Sequence, residues 1–234
     1  VKKINMRKIG KKLQSAKALV EKDRVYTLEE AMELVKKTSY AKFDASVDLA
    51  IRLNLDTRKA DQQLRGAVVL PHGTGKTVRV LVATDNPEMQ KSSKEAGADL
   101  VYTTGELEEA LKNDLFDFDV MVVDPKMMPV LGKYGKKLGP KGLMPNPKTG
   151  TVTPTPAKAV EEIKKGKANY RADKSGIVHS LIGKTSMSTQ ALAENAQTLI
   201  SLIKKLKPSV VKGAYILNLT VSSTMGPSIK IKFD

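Results

Sequence analysis

Two stretches near opposite ends of this chain alternate apolar and polar residues. From Phe43 to Leu53, Val47, Leu49, Ile51 and Leu53 fall on one side and Ser46, Asp48, Ala50 and Arg52 on the other. Ala214–Val221 repeats the alternation. A strand turns successive side chains to opposite faces, so a period of two reads as a half-buried strand. Ile177–Ile182 is a third strand candidate, and Ile229, Ile231 and Phe233 make a short last one. Helices to cover one face lie close by. Leu28–Thr38 has Leu28, Ala31, Met32 and Val35 at helical spacing, with Thr27 and Glu30 forming a capping box. Ala191–Leu206 is amphipathic and stops before Pro208. Neither flank makes a good core alone, because domains under ~70 residues are marginal. Joined, they predict one discontinuous antiparallel α+β domain, residues 1–70 plus 157–234.

The residues between them have a different rhythm. Val78–Ala83 and Asp119–Asp124 are short apolar runs of the buried-strand kind, and Leu100–Tyr102 is a weaker one. Helical segments alternate with them: Pro87–Ala96, closed by Gly97, then Glu106–Lys112, then one opened by Pro125. Alternation of this kind predicts a parallel, Rossmann-like α/β sheet with helices on its faces. The expected architecture is therefore an α/β domain, 71–156, inserted into an α+β domain. Pro71-His-Gly73 and Pro154-Thr-Pro156 are the expected hinges, because proline and glycine interrupt both elements there.

Charge divides along the same line. Of 40 Lys+Arg and 25 Asp+Glu, 11 of each lie in 71–156, so the flanks carry the whole net charge of +15. Within the middle segment, 71–124 holds all 11 acids, whereas 125–156 has six basic residues and no acid. An excess of this size points to a polyanionic partner, drawn to the flanks and repelled by the acidic body. With no cysteine, disulfides and thiolate zinc are excluded, and His72 and His179 form no metal-ligand pattern. The basic N-terminal stretch lacks an apolar core, and no stretch reaches the ~18 apolar residues of a membrane helix. A cytosolic protein without a metal site is expected.

Two glycine-rich stretches need separate readings. Leu70-Pro-His-Gly-Thr-Gly-Lys-Thr77 ends like a P-loop, but the first position is leucine, and a strand rather than a helix follows. It reads as a turn, and a nucleotide-binding or hydrolysing enzyme on the middle domain is the alternative function it leaves. The second stretch, Gly132–Lys148, is too rich in glycine and proline for a regular element. Its Leu138, Leu143 and Met144 predict a loop packed down onto the body.

Leu138-Gly-Pro-Lys-Gly-Leu-Met-Pro-Asn-Pro-Lys-Thr-Gly150 resembles the signature loop of the L-one family of large-subunit ribosomal stalk proteins, bacterial type. The resemblance spans nearly the whole chain. It includes Ala41-Lys-Phe-Asp44, Arg65-Gly66 with Leu70-Pro-His-Gly73, Asp173-Lys-Ser-Gly176, Gly183-Lys-Thr-Ser186 and Thr224-Met-Gly-Pro-Ser228. It implies a structural, non-enzymatic protein, with no catalytic residues and no cofactor, that binds large-subunit rRNA on the stalk flanking the tRNA exit site. It further implies a cytoplasmic, ribosomal location and exit-site tRNA as a partner. Repression of the protein's own mRNA is implied too, with no membrane and no obligatory homo-oligomer.

By position, the family's RNA surface falls on Lys42 and Phe43, on Asp173, Lys174 and Ser175, and on Thr224, Met225 and Gly226. Lys174 would neutralise phosphate, Phe43 would lie flat against RNA, and Thr224 would meet a 2′-hydroxyl. Gly226 would let backbone approach the sugar-phosphate closely. Taken alone, Phe43 at a strand start serves equally as core, and Thr224–Pro227 as a plain turn. With no Trp, four Phe and six Tyr, a platform for stacked single strands is not evident. Recognition of folded RNA by shape, sugar and phosphate is expected. Net charge alone leaves a DNA-binding architectural protein open.

Overall fold

The computed structural model describes residues 10–21, 24–59 and 62–233. In chain order its first elements are α1 (Lys11–Ala18), α2 (Leu28–Thr38), β1 (Ser46–Leu53), β2 (Arg65–Val69) and β3 (Val80–Ala83). Next come α3 (Pro87–Glu95), β4 (Leu100–Tyr102), α4 (Thr104–Lys112), β5 (Val120–Val123), α5 (Met128–Lys133) and α6 (Gly135–Leu138). The chain ends with α7 (Pro156–Lys164), β6 (Lys167–Arg171), β7 (Ile177–Lys184), α8 (Thr189–Lys205), β8 (Ile216–Ser223) and β9 (Ile229–Lys230). Backbone contacts divide it into two compact units, one of Val1–Leu64 with Arg171–Asp234, the other of Arg65–Tyr170.

The outer unit holds a four-stranded antiparallel sheet in the order β7-β1-β8-β9. The expected alternation of β1 is present residue by residue: Val47, Leu49, Ile51 and Leu53 are buried, while Asp48 and Arg52 are exposed. Val178 and Ile182 of β7, Leu219 and Val221 of β8, and Ile229 of β9 join that buried face. Helices α2 and α8 pack on each other and on the sheet. They contribute Met32 and Val35 from α2 and Leu192, Leu199 and Ile203 from α8, all fully buried. Burying such a side chain is worth about 1.5–3 kcal/mol, so this layer is what holds β1 in place. Glycine at 183 permits the close packing, since a Cβ there would lie 2.6 Å from Leu192 Cδ2 and 2.7 Å from Met187 Sδ. The capping box of α2 forms as its sequence predicts, with Thr27 Oγ1 accepting from Glu30 N and Glu30 accepting from Thr27 N.

The inner unit is built on the parallel sheet β4-β3-β5. All four residues of β3 are buried, because both faces are covered. Leu81 and Ala83 pack with Leu107, Leu111, Met121, Leu131 and Leu138, and Val80 and Val82 pack with Val122, Ala159, Val160 and Ile163. The second cluster depends on α7, which follows the expected boundary at 156. Pro156 opens that helix rather than acting as a hinge, as proline can at a first helical turn. Lys164 Nζ then donates to Asp99 Oδ2 at 2.7 Å and to Val78 O at 3.2 Å, fixing the end of α7 to the start of β3. Pairing of β2 with β6 also falls outside 71–156. The compact inner unit is thus wider on both sides than the expected insertion.

The Leu70–Thr77 stretch is a turn leading into β3, and α3 begins only after Asn86. Lys76 Nζ is bonded to Asp119 Oδ1 at 2.9 Å, so the lysine of the incomplete P-loop is held by a carboxylate. Gly73 has φ +66° and lies against the backbone of Gly166, where a side chain at 166 would run into Gly73 Cα. These glycines serve a close crossing of two backbone segments. The Gly132–Lys148 stretch forms short helices and turns rather than one extended loop. As expected it is packed down, with Leu138 buried and Leu143 and Met144 against the same core.

Candidate nucleic-acid interface

The eight residues singled out from the sequence fall into two groups at opposite ends of the outer unit's sheet. At one end the connection from α2 presents Lys42 and Phe43, both exposed, just before β1. Phe43 is 58% exposed and Met225 51%, so neither is core. The two lie at the same end of the sheet, one before β1 and the other after β8.

Hydrogen bonds hold this end firmly. Thr224 N donates to Ser46 O at 3.0 Å, Ser46 N donates to Thr224 Oγ1 at 3.0 Å, and Thr224 Oγ1 donates back to Ser46 O at 3.3 Å. The hydroxyl expected to face RNA is therefore engaged with the first residue of β1, and its proton is already used. Gly226 also has an internal reason for being glycine. A Cβ there would run into Ser223 Oγ, which is buried and has no hydrogen-bond partner among the described residues.

Asp44 ties in a third segment. Its Oδ1 accepts from Thr185 Oγ1 at 3.1 Å and Ser186 N at 3.0 Å, and its Oδ2 from Ser186 Oγ at 2.9 Å, with Lys184 Nζ 3.8 Å away. Desolvation pushes the Asp44 carboxyl up. The Ser186 and Thr185 hydrogen bonds and the Lys184 charge outweigh it, leaving Asp44 below its ordinary value. Lys36 Nζ donates to Met187 O at 2.6 Å, so the end of α2 braces the same loop.

Asp173, Lys174 and Ser175 lie at the other end, in the turn between β6 and β7. Strand β7 begins opposite Arg52, whereas Ser46 faces its last residue, Lys184. The eight residues of β1 separate the ends by about 23 Å at ~3.3 Å per residue. Asp173 is a turn-former: its Oδ1 accepts from Ser175 N and Ile177 N, both at 2.8 Å. Gly176, at φ +74°, completes the turn with its N–H on Asp173 O. Lys174 and Ser175 are left exposed, with Lys174 O accepting from Thr57 Oγ1 at 2.9 Å.

Between the ends runs the sheet face that the helices leave uncovered. Across it His179 faces Ala50, Ala50 faces Thr220, and Thr220 faces Lys230. Arg52, His179, Asn218 and Lys230 are exposed. Asp48, on the same face, is raised above its ordinary value by desolvation, with the His179 charge opposing. Arg52, His179 and Lys230 on this face, and Lys184 and Ser186 beside Asp44, are polar residues of the surface that the sequence reading did not include in the site. The polar half of each strand's alternation carried the signal for the first three. No single segment shows which strands stand side by side.

Among the described residues no group of His, Cys, Asp and Glu could hold a metal ion. No described helix is long and apolar enough to cross a membrane.

Residues 35–227 match the family described as Ribosomal protein L1p/L10e family. The chain is 75% identical over 229 residues to the large ribosomal subunit protein uL1 of Mycoplasmopsis pulmonis (strain UAB CTIP), covering 98% of this chain and 100% of the relative. It is 72% identical over 229 residues to the protein of that name from Mesomycoplasma hyopneumoniae (strain 7448), with 98% and 99% coverage. With that of Metamycoplasma arthritidis (strain 158L3-1) it shares 69% over 228 residues, with 97% and 99% coverage. The family is structural and non-enzymatic, which removes the nucleotide-hydrolysing alternative. From the span of the family match and the end-to-end identity with these relatives, the chain belongs to the ribosomal protein L1p/L10e family.

Proposed function

We propose that this chain is a structural component of the large ribosomal subunit that binds folded large-subunit rRNA through the outer unit. In this reading the RNA lies along the uncovered sheet face and touches both ends of β1. Lys42, Phe43, Thr224, Met225 and Gly226 make the close contacts at one end, and Lys174 and Ser175 meet phosphate at the other. Asp173 and Asp44 carry negative charge and act by shaping the loops.

The observation that carries the reading is the exposure of Phe43 and Met225 on a sheet end fixed by side-chain hydrogen bonds. A rigid surface with apolar side chains already in water loses little entropy on meeting a flat sugar and base surface. The outer unit, with 24 Lys+Arg against 12 Asp+Glu, carries a net +12 that supplies the attraction. Family membership points to the stalk near the tRNA exit site, to exit-site tRNA as a further partner, and to repression of the protein's own mRNA by the same surface. The two compact units serve as separate domains, with the outer one sufficient for specific binding.

Titrating the purified chain with a folded stalk fragment of large-subunit rRNA, with duplex DNA of equal charge and with ATP tests the reading. Tight, saturable binding to the rRNA fragment alone is the expected result. Equal affinity for duplex DNA would favour the architectural DNA-binding alternative.

A further inference from the structure

The uncovered sheet face of the outer unit carries one carboxylate that folding alone does not explain. The other aspartates with shifted carboxyls are all lowered, and each is held by donors. Asp85 accepts from Thr104 N and Oγ1, Asp99 from Val80 N and Lys164 Nζ, and Asp119 from Arg79 N and Lys76 Nζ. Asp44 is held in the same way by Ser186 and Thr185. Asp48 is the exception. Desolvation raises it against the His179 charge, and among the described residues no hydrogen bond or ion pair reaches its carboxylate. A carboxylate that loses hydration without gaining donors costs stability.

Its position gives that cost a use. Strand β1 is an inner strand of the sheet, so Asp48 stands at the middle of the face, with Leu181 opposite on β7 and Ser222 opposite on β8. Beside it the row His179, Ala50, Thr220, Lys230 crosses all four strands, about 14 Å at ~4.8 Å per strand. Small residues occupy the centre of that row and nitrogen donors its edges, with Arg52 further along β1. A face of this shape suits an RNA helix laid down by its wide, shallow minor groove, with phosphates toward the margins. On base edges that groove offers acceptors, and its donor is the guanine 2-amino group. Acceptors repel a carboxylate at the centre, whereas the amino group supplies the donor that Asp48 lacks.

We propose that Asp48 is a specificity residue of the RNA surface, accepting a hydrogen bond from the 2-amino group of a guanine in the minor groove of folded rRNA. The inference rests on the reading of the sheet face as the rRNA surface, and it adds a contact that discriminates between bases. Arg52, Lys174 and Lys230 attract any RNA, because phosphate contacts carry no sequence information. Asp48 opposes an RNA that lacks a guanine at the right place and binds one that has it.

Full-length Asp48→Ala and Asp48→Asn test it. Each is titrated against a folded stalk fragment of large-subunit rRNA, against versions of it with one paired guanosine at a time replaced by inosine, and against an unrelated RNA hairpin. Inosine lacks the 2-amino group and still pairs with cytosine, so the helix is kept. Wild type should lose roughly five- to 150-fold in affinity on one inosine version, and Asp48→Ala a similar amount on the unmodified fragment. Asp48→Ala should bind that inosine version and the unmodified fragment within about twofold of each other, because carboxylate and amino group act as a pair. Asp48→Asn keeps one acceptor oxygen and should fall between. On the hairpin both variants should bind at least as tightly as wild type, since a negative charge has gone. Both should melt at or above wild type. Tighter binding of the unmodified fragment by Asp48→Ala would overturn the proposal, because the carboxylate would then only repel RNA. So would wild type that binds every inosine version equally, or losses from the two changes that simply add. A lower melting temperature in both variants would give Asp48 a partner within the fold and overturn it too. Wild-type failure to bind the unmodified fragment would instead count against the sheet-face reading, so the two failures are distinguishable.

Discussion

Gly226 and Ser223 are sterically coupled: the space that a Cβ on Gly226 would fill is occupied by Ser223 Oγ. The turn closes through Gly226 N donating to Ser223 O at 3.0 Å, so the two residues share one tight loop at the end of β8. Gly226→Ala should therefore weaken specific RNA binding by displacing the loop. Adding Ser223→Ala removes the obstructing hydroxyl, after which the nearest atom is the Cβ of residue 223 at 3.5 Å. The double variant should regain most of the lost affinity and melting temperature. A double variant that melts like wild type yet stays weak would mean that RNA itself requires the bare glycine.

Asp44 provides a pH signature. Its carboxyl lies below the ordinary 3.8, against desolvation, because Ser186, Thr185 and Lys184 favour the charged form. A lowered folded value contributes stability that is present above the unfolded value and lost as pH falls through the folded one. Carboxyl NMR of the folded protein should thus give a midpoint for Asp44 below 3.8, and Asp44→Asn should abolish that part of the acid dependence. A midpoint at or above 3.8 would show that the loop does not hold the carboxylate.

Leu64 O accepts from Ala172 N at 2.9 Å, so the two strands of chain leaving the outer unit are already side by side. Deleting 65–170 and joining the ends with a short Gly/Ser linker should leave a folded protein that keeps specific rRNA binding. Circular dichroism and binding isotherms on the shortened chain check it. An unfolded product, or loss of nearly all specific affinity, would contradict the separate-domain reading.

The sequence revealed most where a single segment holds the whole physical reason. The alternation of β1 fixes which residues are buried without knowledge of any partner, and Thr27 with Glu30 suffices to start α2. Helix α7 shows the opposite case. Ala159, Val160 and Ile163 have helical spacing, but Pro154 and Pro156 looked like a linker, and only the bare second face of the parallel sheet explains why a helix must lie there. The candidate site had the same limit. Exposure of Phe43 and Met225 and the turn at Asp173 agree with a surface role. The distance between Lys174 and Thr224 depends on β1 pairing with both β7 and β8. Likewise Ser46, the partner that occupies the Thr224 hydroxyl, lies 178 residues away in sequence.

Binding isotherms over a range of salt, for Thr224→Val and Lys174→Gln on specific and nonspecific RNA, test the central claim most directly. Thr224 holds the loop to Ser46 through its hydroxyl, and valine keeps the shape while removing those bonds. Misplacing a close contact of this kind costs ~1–3 kcal/mol, or roughly five- to 150-fold in affinity. That loss should appear on the specific rRNA alone, with the salt slope unchanged and a melting curve confirming a folded protein. Lys174→Gln should instead weaken binding to every RNA and reduce the slope by about 0.7–0.9, the share of one phosphate contact. Equal losses from Thr224→Val on specific and nonspecific RNA would contradict the account, because recognition would then lie elsewhere on the chain.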